Sequence, residues 1–257
     1  MSFPASDIYV ISGNLLSATA TADDPAVFED FLHSNLLSQL STDKSMGSRF
    51  DNPALWLDTY RNTLGKLFWN MRRQGVSDYI PKPAIQKITL LEILENTFFK
   101  DLTQDQKDRI SESIALFDAL PDENPANVLY SLNTHAVLGT PKKIKPLAVS
   151  VVNLQVSVVY GNNKIANCGI YFQTTQTIED KIFSQEFIIK DLQSNISLKS
   201  FDAALIEASY AKIRQSVIEK LGPENIQTNI VPVAPEAIPV PPLSPAETRR
   251  FIEAMEI

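Results

Sequence analysis

The stretch Val152-Asn-Leu-Gln-Val-Ser-Val-Val-Tyr160, its turn Gly161-Asn-Asn163 and the run Ala166-Asn-Cys-Gly-Ile170-Tyr-Phe172 decide the fold class of this 257-residue chain. Leu154, Val156, Val158 and Tyr160 alternate with Asn153, Gln155, Ser157 and Val159, the period of a strand with one buried face. Ala166, Cys168, Ile170 and Phe172 alternate in the same way behind the turn, so the two runs read as an antiparallel hairpin. Lys181 to Lys190 reads as the next strand of a meander, and Asn127 to Leu132 as an edge strand.

Upstream the period changes to that of helices. Asp23 and Asp24 before Pro25 form a helix start, and Val27, Phe28, Phe31, Leu36, Leu37 and Leu40 fall on one broad face. Asn52-Pro53 repeats the signal for a helix carrying Trp56, Tyr60, Leu64, Leu67, Phe68 and Met71, with Arg72 and Arg73 near its end and Gly75 as a stop. Thr89 with Glu92 and Thr103 with Gln106 are capping boxes that open two more helices. A last helix is expected from about Asp202 to Leu221, closed by Gly222-Pro223 and lying across the sheet. The expected architecture is therefore α+β: about four N-terminal helices, an antiparallel meander of three to four strands, and a long helix packed on it. Residues 1–22 read as an extended arm, 23–222 as one domain, 223–243 as a Pro-rich linker and 244–257 as a tethered amphipathic helix.

Composition bounds the function. With 23 Lys and Arg against 30 Asp and Glu the chain is acidic, its net charge −7, and no dense basic stripe offers a nucleic-acid surface. Two histidines and one cysteine make a His/Cys metal cage a poor reading and exclude an intramolecular disulfide. No cofactor is expected. No apolar run is long enough for a membrane span or for a secretory signal at the amino terminus, so the expected location is cytoplasmic, or outside the cell without a signal peptide.

Candidate chemistry is sparse. Cys168 sits on the apolar face of its strand, where burial shields a thiol, and neither His33 nor His135 has a nucleophile motif beside it. The glycines are scattered singly, so no phosphate-binding fingerprint exists. Lys142, Lys143 and Lys145 form a basic loop that could meet an anion, although a solvated loop is the better reading, since surface lysines are common and no aromatic residues are interleaved. No catalytic, metal or cofactor residue is assigned.

The tail is the compositional break. Six of the fifteen residues from Val231 to Pro245 are proline, which favours stiff, extended chain. Ser244-Pro-Ala-Glu247 then starts a helix with Phe251, Ile252 and Met255 on one side. So short a helix is stable only when docked, so Leu243, Phe251, Ile252 and Met255 are the candidate docking residues, toward a protein partner or an identical chain, with folding back onto the chain's own domain an equal alternative.

Asn35-Leu-Leu-Ser-Gln-Leu40 with Asp43-Lys44, then Trp56, Tyr60, Leu64 and Trp69, and finally the run from Tyr210 to Gly222 resemble a group of uncharacterised bacterial proteins over about residues 35–222. No activity comes with that resemblance, the Pro-rich tail is not part of it, and the matching residues read mostly as packing positions. Three functions are therefore compared. The first is a non-enzymatic interaction or assembly module docking through its tail. The second is a signal-less, membrane-active toxin that inserts the hairpin from Val152 to Thr177. The third is an enzyme with an unclustered carboxylate site.

Overall fold

The computed structural model describes residues 6–19, 25–138, 148–161 and 163–234. Its centre is a mixed sheet of eight strands. They are β1 (Ile8–Ile11), β2 (Asn14–Ala18), β3 (Trp69–Tyr79), β5 (His135–Leu138), β6 (Val149–Tyr160), β7 (Lys164–Thr174), β9 (Ile196–Leu205) and β10 (Ile230–Pro232). The strand order is β10-β1-β2-β6-β7-β9-β3, with β5 paired to the first part of β6. All pairs are antiparallel except β2 with β6, whose register sets Asn14 beside Gln155 and Ala18 beside Val159. Two further short strands, β4 (Lys87–Ile88) and β8 (Phe187–Ile188), pair outside the main sheet.

Helices cover both faces. On one lie α1 (Pro25–Met46), α2 (Pro53–Lys66) and α7 (Arg214–Asn229); on the other lie α3 (Leu90–Asn96), α4 (Gln104–Asp118) and α5 (Pro125–Thr134), with a one-turn α6 (Glu207–Tyr210) leading into α7. The starts are set locally. The Asn52 side chain accepts from Leu55 N, and both capping boxes are closed, Thr89 N donating to Glu92 Oε2 at 2.8 Å and Thr103 N to Gln106 Oε1 at 2.9 Å. Arg214 grips Asp30 with two charge-assisted bonds of 2.6 and 2.7 Å, which ties α7 to α1.

The α+β class and the β6–β7 hairpin stand, but several elements differ from the sequence reading. Residues 8–18 are not an arm. They form a hairpin through a two-residue turn, and β2 lies inside the sheet because it brings Leu15 to one core and Leu16 to the other. The second helix ends at Lys66 rather than near Gly75, since Phe68 turns the chain at φ 64° and Trp69 begins a strand against Leu205. Residues 127–132 belong to α5, started by the Asn124 side chain and Pro125, not to an edge strand. Of Lys181 to Lys190 only Phe187 and Ile188 form a strand, and the third meander strand is β9. The last helix does not start at Asp202, which lies in β9, but at Arg214; it closes at Leu221 as expected, since Gly222 breaks it at φ 70°, and Pro223 then opens a further helical stretch to Asn229 that leads into β10 against β1. Residues 223–232 therefore belong to the folded unit rather than to a linker.

The largest correction concerns the polar positions of the hairpin. They do not face water: Asn153, Gln155 and Ser157 of β6 and Asn167 of β7 are all buried, under α1.

Candidate functional site

The sites expected from the sequence separate into two groups. Leu243, Phe251, Ile252 and Met255, and the lysines 142, 143 and 145, lie outside the described residues. Cys168, His33 and His135 are placed, and they lie apart. Cys168 is fully buried, and burial pushes its thiol far above the ordinary range, so it stays protonated. Burial lowers His33 to about 4 and lowers His135 as well, so both imidazoles are neutral near pH 7. Among the described residues no three His, Cys, Asp or Glu side chains gather as metal ligands would, and no helix is long and apolar enough to cross a membrane.

Two arrangements that the sequence did not announce stand out instead. The first is a polar seam between α1 and the sheet. Asn35, Ser38, Gln39 and Thr42 stand at positions i, i+3, i+4 and i+7 of one helix face, and each is completely buried. Asn35 Oδ1 accepts from Asn14 Nδ2 at 3.0 Å and from Tyr60 Oη at 2.8 Å. Ser157 Oγ donates to Asn14 Oδ1 at 2.9 Å, and Asn167 Nδ2 donates to Ser157 Oγ and Gln155 Oε1. Gln39 Nε2 donates to Ile11 O at 2.7 Å, while its Oε1 accepts from Arg49 Nη1 at 3.1 Å.

Arg49 is the hub of this seam and only 4% exposed. Its guanidinium bonds Asp43 at 2.9 Å and lies 4.4 Å from the centre of the Trp56 ring, whose Nε1 donates to the same carboxylate at 2.7 Å. Gly13 makes room for it: a Cβ there would come within 2.4 Å of Arg49 Nη1 and 2.7 Å of Asn133 O. Among the described residues, Asn35 Nδ2, Ser38 Oγ, Asn153 Oδ1 and Gln155 Nε2 have no hydrogen-bond partner. Trp56 and Tyr60 pack in the apolar core of this face, stacked at 5.6 Å, and each also donates one hydrogen bond to the seam. The helical spacing of the polar residues was the signal that marks such a seam.

The second arrangement is an open sheet edge beside a cleft. β3 is the outermost strand, and seven of its eleven residues are exposed, with Val76 at 70%. The register slips by one residue at Arg72, and Arg73 is held between Asp101 and Asp202, each at 3.6 Å. At the far end Asp78 accepts from Ser197 Oγ and Asn195 Nδ2, which keeps its carboxyl below the ordinary range. Bulge and charges are the devices that protect an edge from indiscriminate pairing. Between them Gln74, Gly75, Val76 and Ser77 form an uncharged window.

Against that window lies a cavity of about 300 Å³ between β3 and the turn from Asn96 to Asp101, with Phe98, Cys168 and Leu198 supplying apolar wall. Lys100 and Ser200 add polar lining. Gly75 sits flat against it, for a Cβ there would meet Ser200 Oγ at 2.7 Å. An edge with free backbone groups next to a mixed cleft can bind an extended chain: the backbone gives affinity and the cleft selects a side chain.

No known protein family matches the chain, and no curated protein does. Among solved structures it is similar to one described as the structure of the Evf virulence factor, at 8% identity and a TM-score of 0.37 over 81% of this chain and 79% of that one. It is similar also to a delta-endotoxin, at 8% identity and a TM-score of 0.36 over 80% and 85% of the two chains. At these TM-scores neither likeness carries an argument about fold or function.

Proposed function

We propose that this chain is a non-enzymatic protein-interaction or assembly module. The observation that supports it is the uncharged window of β3, Gln74 to Ser77, lying open beside the 300 Å³ cleft. The partner it fits is an extended segment that adds as a strand to β3 and inserts an apolar side chain toward Phe98 and Leu198. The charges lining the cleft, Lys100 and Asp101, are of opposite sign, so its apolar wall and the backbone edge are what select the segment. In the same reading the C-terminal Pro-rich stretch and helix, with Leu243, Phe251, Ile252 and Met255, are the docking elements the chain itself offers.

A blocked alternating threonine–valine pentapeptide, which can only add as a strand, tests the receptor edge. Titrated into the ¹⁵N-labelled full chain, it is expected to shift amides of β3 and of residues 96–101 and leave α5 unmoved. Absence of any β3 shift at about 5 mM peptide, where even a millimolar complex is mostly formed, would overturn the reading.

A further inference from the structure

The occupant of the β3 edge can be specified further, on the strength of the interaction reading above. An added strand offers its N–H groups alternately to its two sides, so a segment for an edge needs donors on one side only. From Ala234 to Pro241 the even positions Ala234, Glu236, Ile238 and Val240 all carry N–H groups, whereas the odd positions Pro235, Pro239 and Pro241 carry none. Such a segment can pair along one side and, with Ala237 the sole donor opposite, stops the sheet from growing past it. Its even side chains share one face: a carboxylate, Glu236, and two β-branched residues, Ile238 and Val240, which suit an extended strand. Ile238 and Val240 match the apolar wall of Phe98 and Leu198, and Glu236, at the start of the segment, needs no buried partner.

Reach decides whether the segment comes from the same molecule. The described chain leaves the sheet at Ala234, just after β10, where Val233 N bonds Ile8 O and Ala234 O accepts from Asn124. β10 is one edge of the sheet and β3 the other, six strand spacings or about 29 Å away. Val240 is six residues past Ala234, and six residues fully extended span at most about 22 Å. The segment therefore cannot lie along β3 of its own molecule.

We propose that residues Glu236–Val240 of one copy add as a strand to β3 of a second copy. Donor segment and acceptor edge sit at opposite sides of the sheet, so the contact is head-to-tail and builds open chains or closed rings rather than a two-fold dimer.

Two full-length variants test this by complementation. Gln74→Glu with Val76→Glu charges the acceptor window at exposed positions with the sign that repels Glu236 and leaves the donor intact; Ile238→Pro with Val240→Pro removes two donor N–H groups and leaves the acceptor intact. In light scattering after size exclusion up to about 1 mM, the unmodified chain is expected to exceed its monomer mass of 28.6 kDa progressively, and each variant to stay at it. The mixed variants are expected to form a 1:1 complex of twice the monomer mass, because one good edge meets one good segment and neither end can extend. A monomeric mixture overturns the proposal, and so does self-association that survives in both variants. The pentapeptide separates the two levels: if it shifts β3 while the mixture stays monomeric, the receptor edge stands and only its occupant is wrong; if it does not, both fall.

Discussion

On one face of the sheet Phe117 meets Tyr130 edge-on at 5.0 Å, Phe172 meets Phe187 at 5.0 Å, and the layer under α3, α4 and α5 is mainly apolar, with Tyr130 Oη donating to Gln155 O at 3.3 Å. On the other face α1 meets the sheet in part through the amides and hydroxyls of Asn14, Asn35, Ser157 and Asn167. Apolar packing is non-directional and accepts volume-conserving exchange, whereas a hydrogen bond of the seam requires its partner in one geometry. Both faces bury a large apolar layer, and on the second the seam also fixes how α1 sits on β2 and β6. A shift of α1 would unpair Asn35 and Gln39 at once.

Arg49 offers the strongest way to break that contrast. Arg49→Met keeps the stem but removes the bonds to Asp43, Gln39 and Asn133 O and the cation over Trp56. It strands the Asp43 carboxylate, with only the Trp56 Nε1 donor left to it among these contacts. Breaking a largely buried pair from one side costs about 3–5 kcal/mol, which is a large part of the stability of a domain. Phe117→Leu, on the apolar face, is expected to cost about 1–2 kcal/mol. Urea unfolding of the two variants measures the difference; equal losses would mean that the seam holds no more specific an interaction than the core does.

His33 gives the contrast a pH dependence. It lies on α1, buried, and its folded pKa is lowered from 6.5 to about 4. The unfolded chain therefore binds more protons between those values, so stability rises with pH across the window and is lost as pH falls from about 6.5 toward 4. The loss attributable to this group reaches at most about 3 kcal/mol at the low end. Denaturant midpoints of the native chain and of His33→Gln, compared from pH 4 to 7.5, are expected to converge in acid. A parallel pair of curves would remove His33 as the cause.

The residues explain which parts of this architecture could be read in advance. The caps at Asn52, Thr89 and Thr103 are local hydrogen bonds within three residues, and such signals survive any tertiary context. The β6–β7 hairpin was legible because its period and turn agree. β3 was not, because Trp69 to Tyr79 continues a helix-like apolar spacing, and only the turn at Phe68 and the ladder with β9 make it a strand. The polar face of β6 was misassigned to water because alternation reports two different faces, not which one is exposed; that depends on α1, over a hundred residues earlier. The acceptor edge was hidden with β3, while its expected donor lay in plain view as proline spacing.

The smallest expected effects form the finest test, since they lie one turn apart on the same helix. Ser34 Oγ accepts from Trp69 Nε1 at 3.1 Å, whereas Ser38 Oγ has no partner among the described residues, and both are completely buried. Ser34→Ala leaves an indole N–H unsatisfied, a cost of about 1–3 kcal/mol, and recovers about 0.5 kcal/mol of helix propensity. Ser38→Ala leaves nothing behind and gains the same propensity, so it is expected to raise stability by about 0.5–1 kcal/mol. The two alanine variants should thus move the denaturant midpoint in opposite directions, although composition and burial are the same. A loss at Ser38 would show that a bound water takes its hydroxyl, and the seam would then owe part of its order to solvent held between α1 and β6.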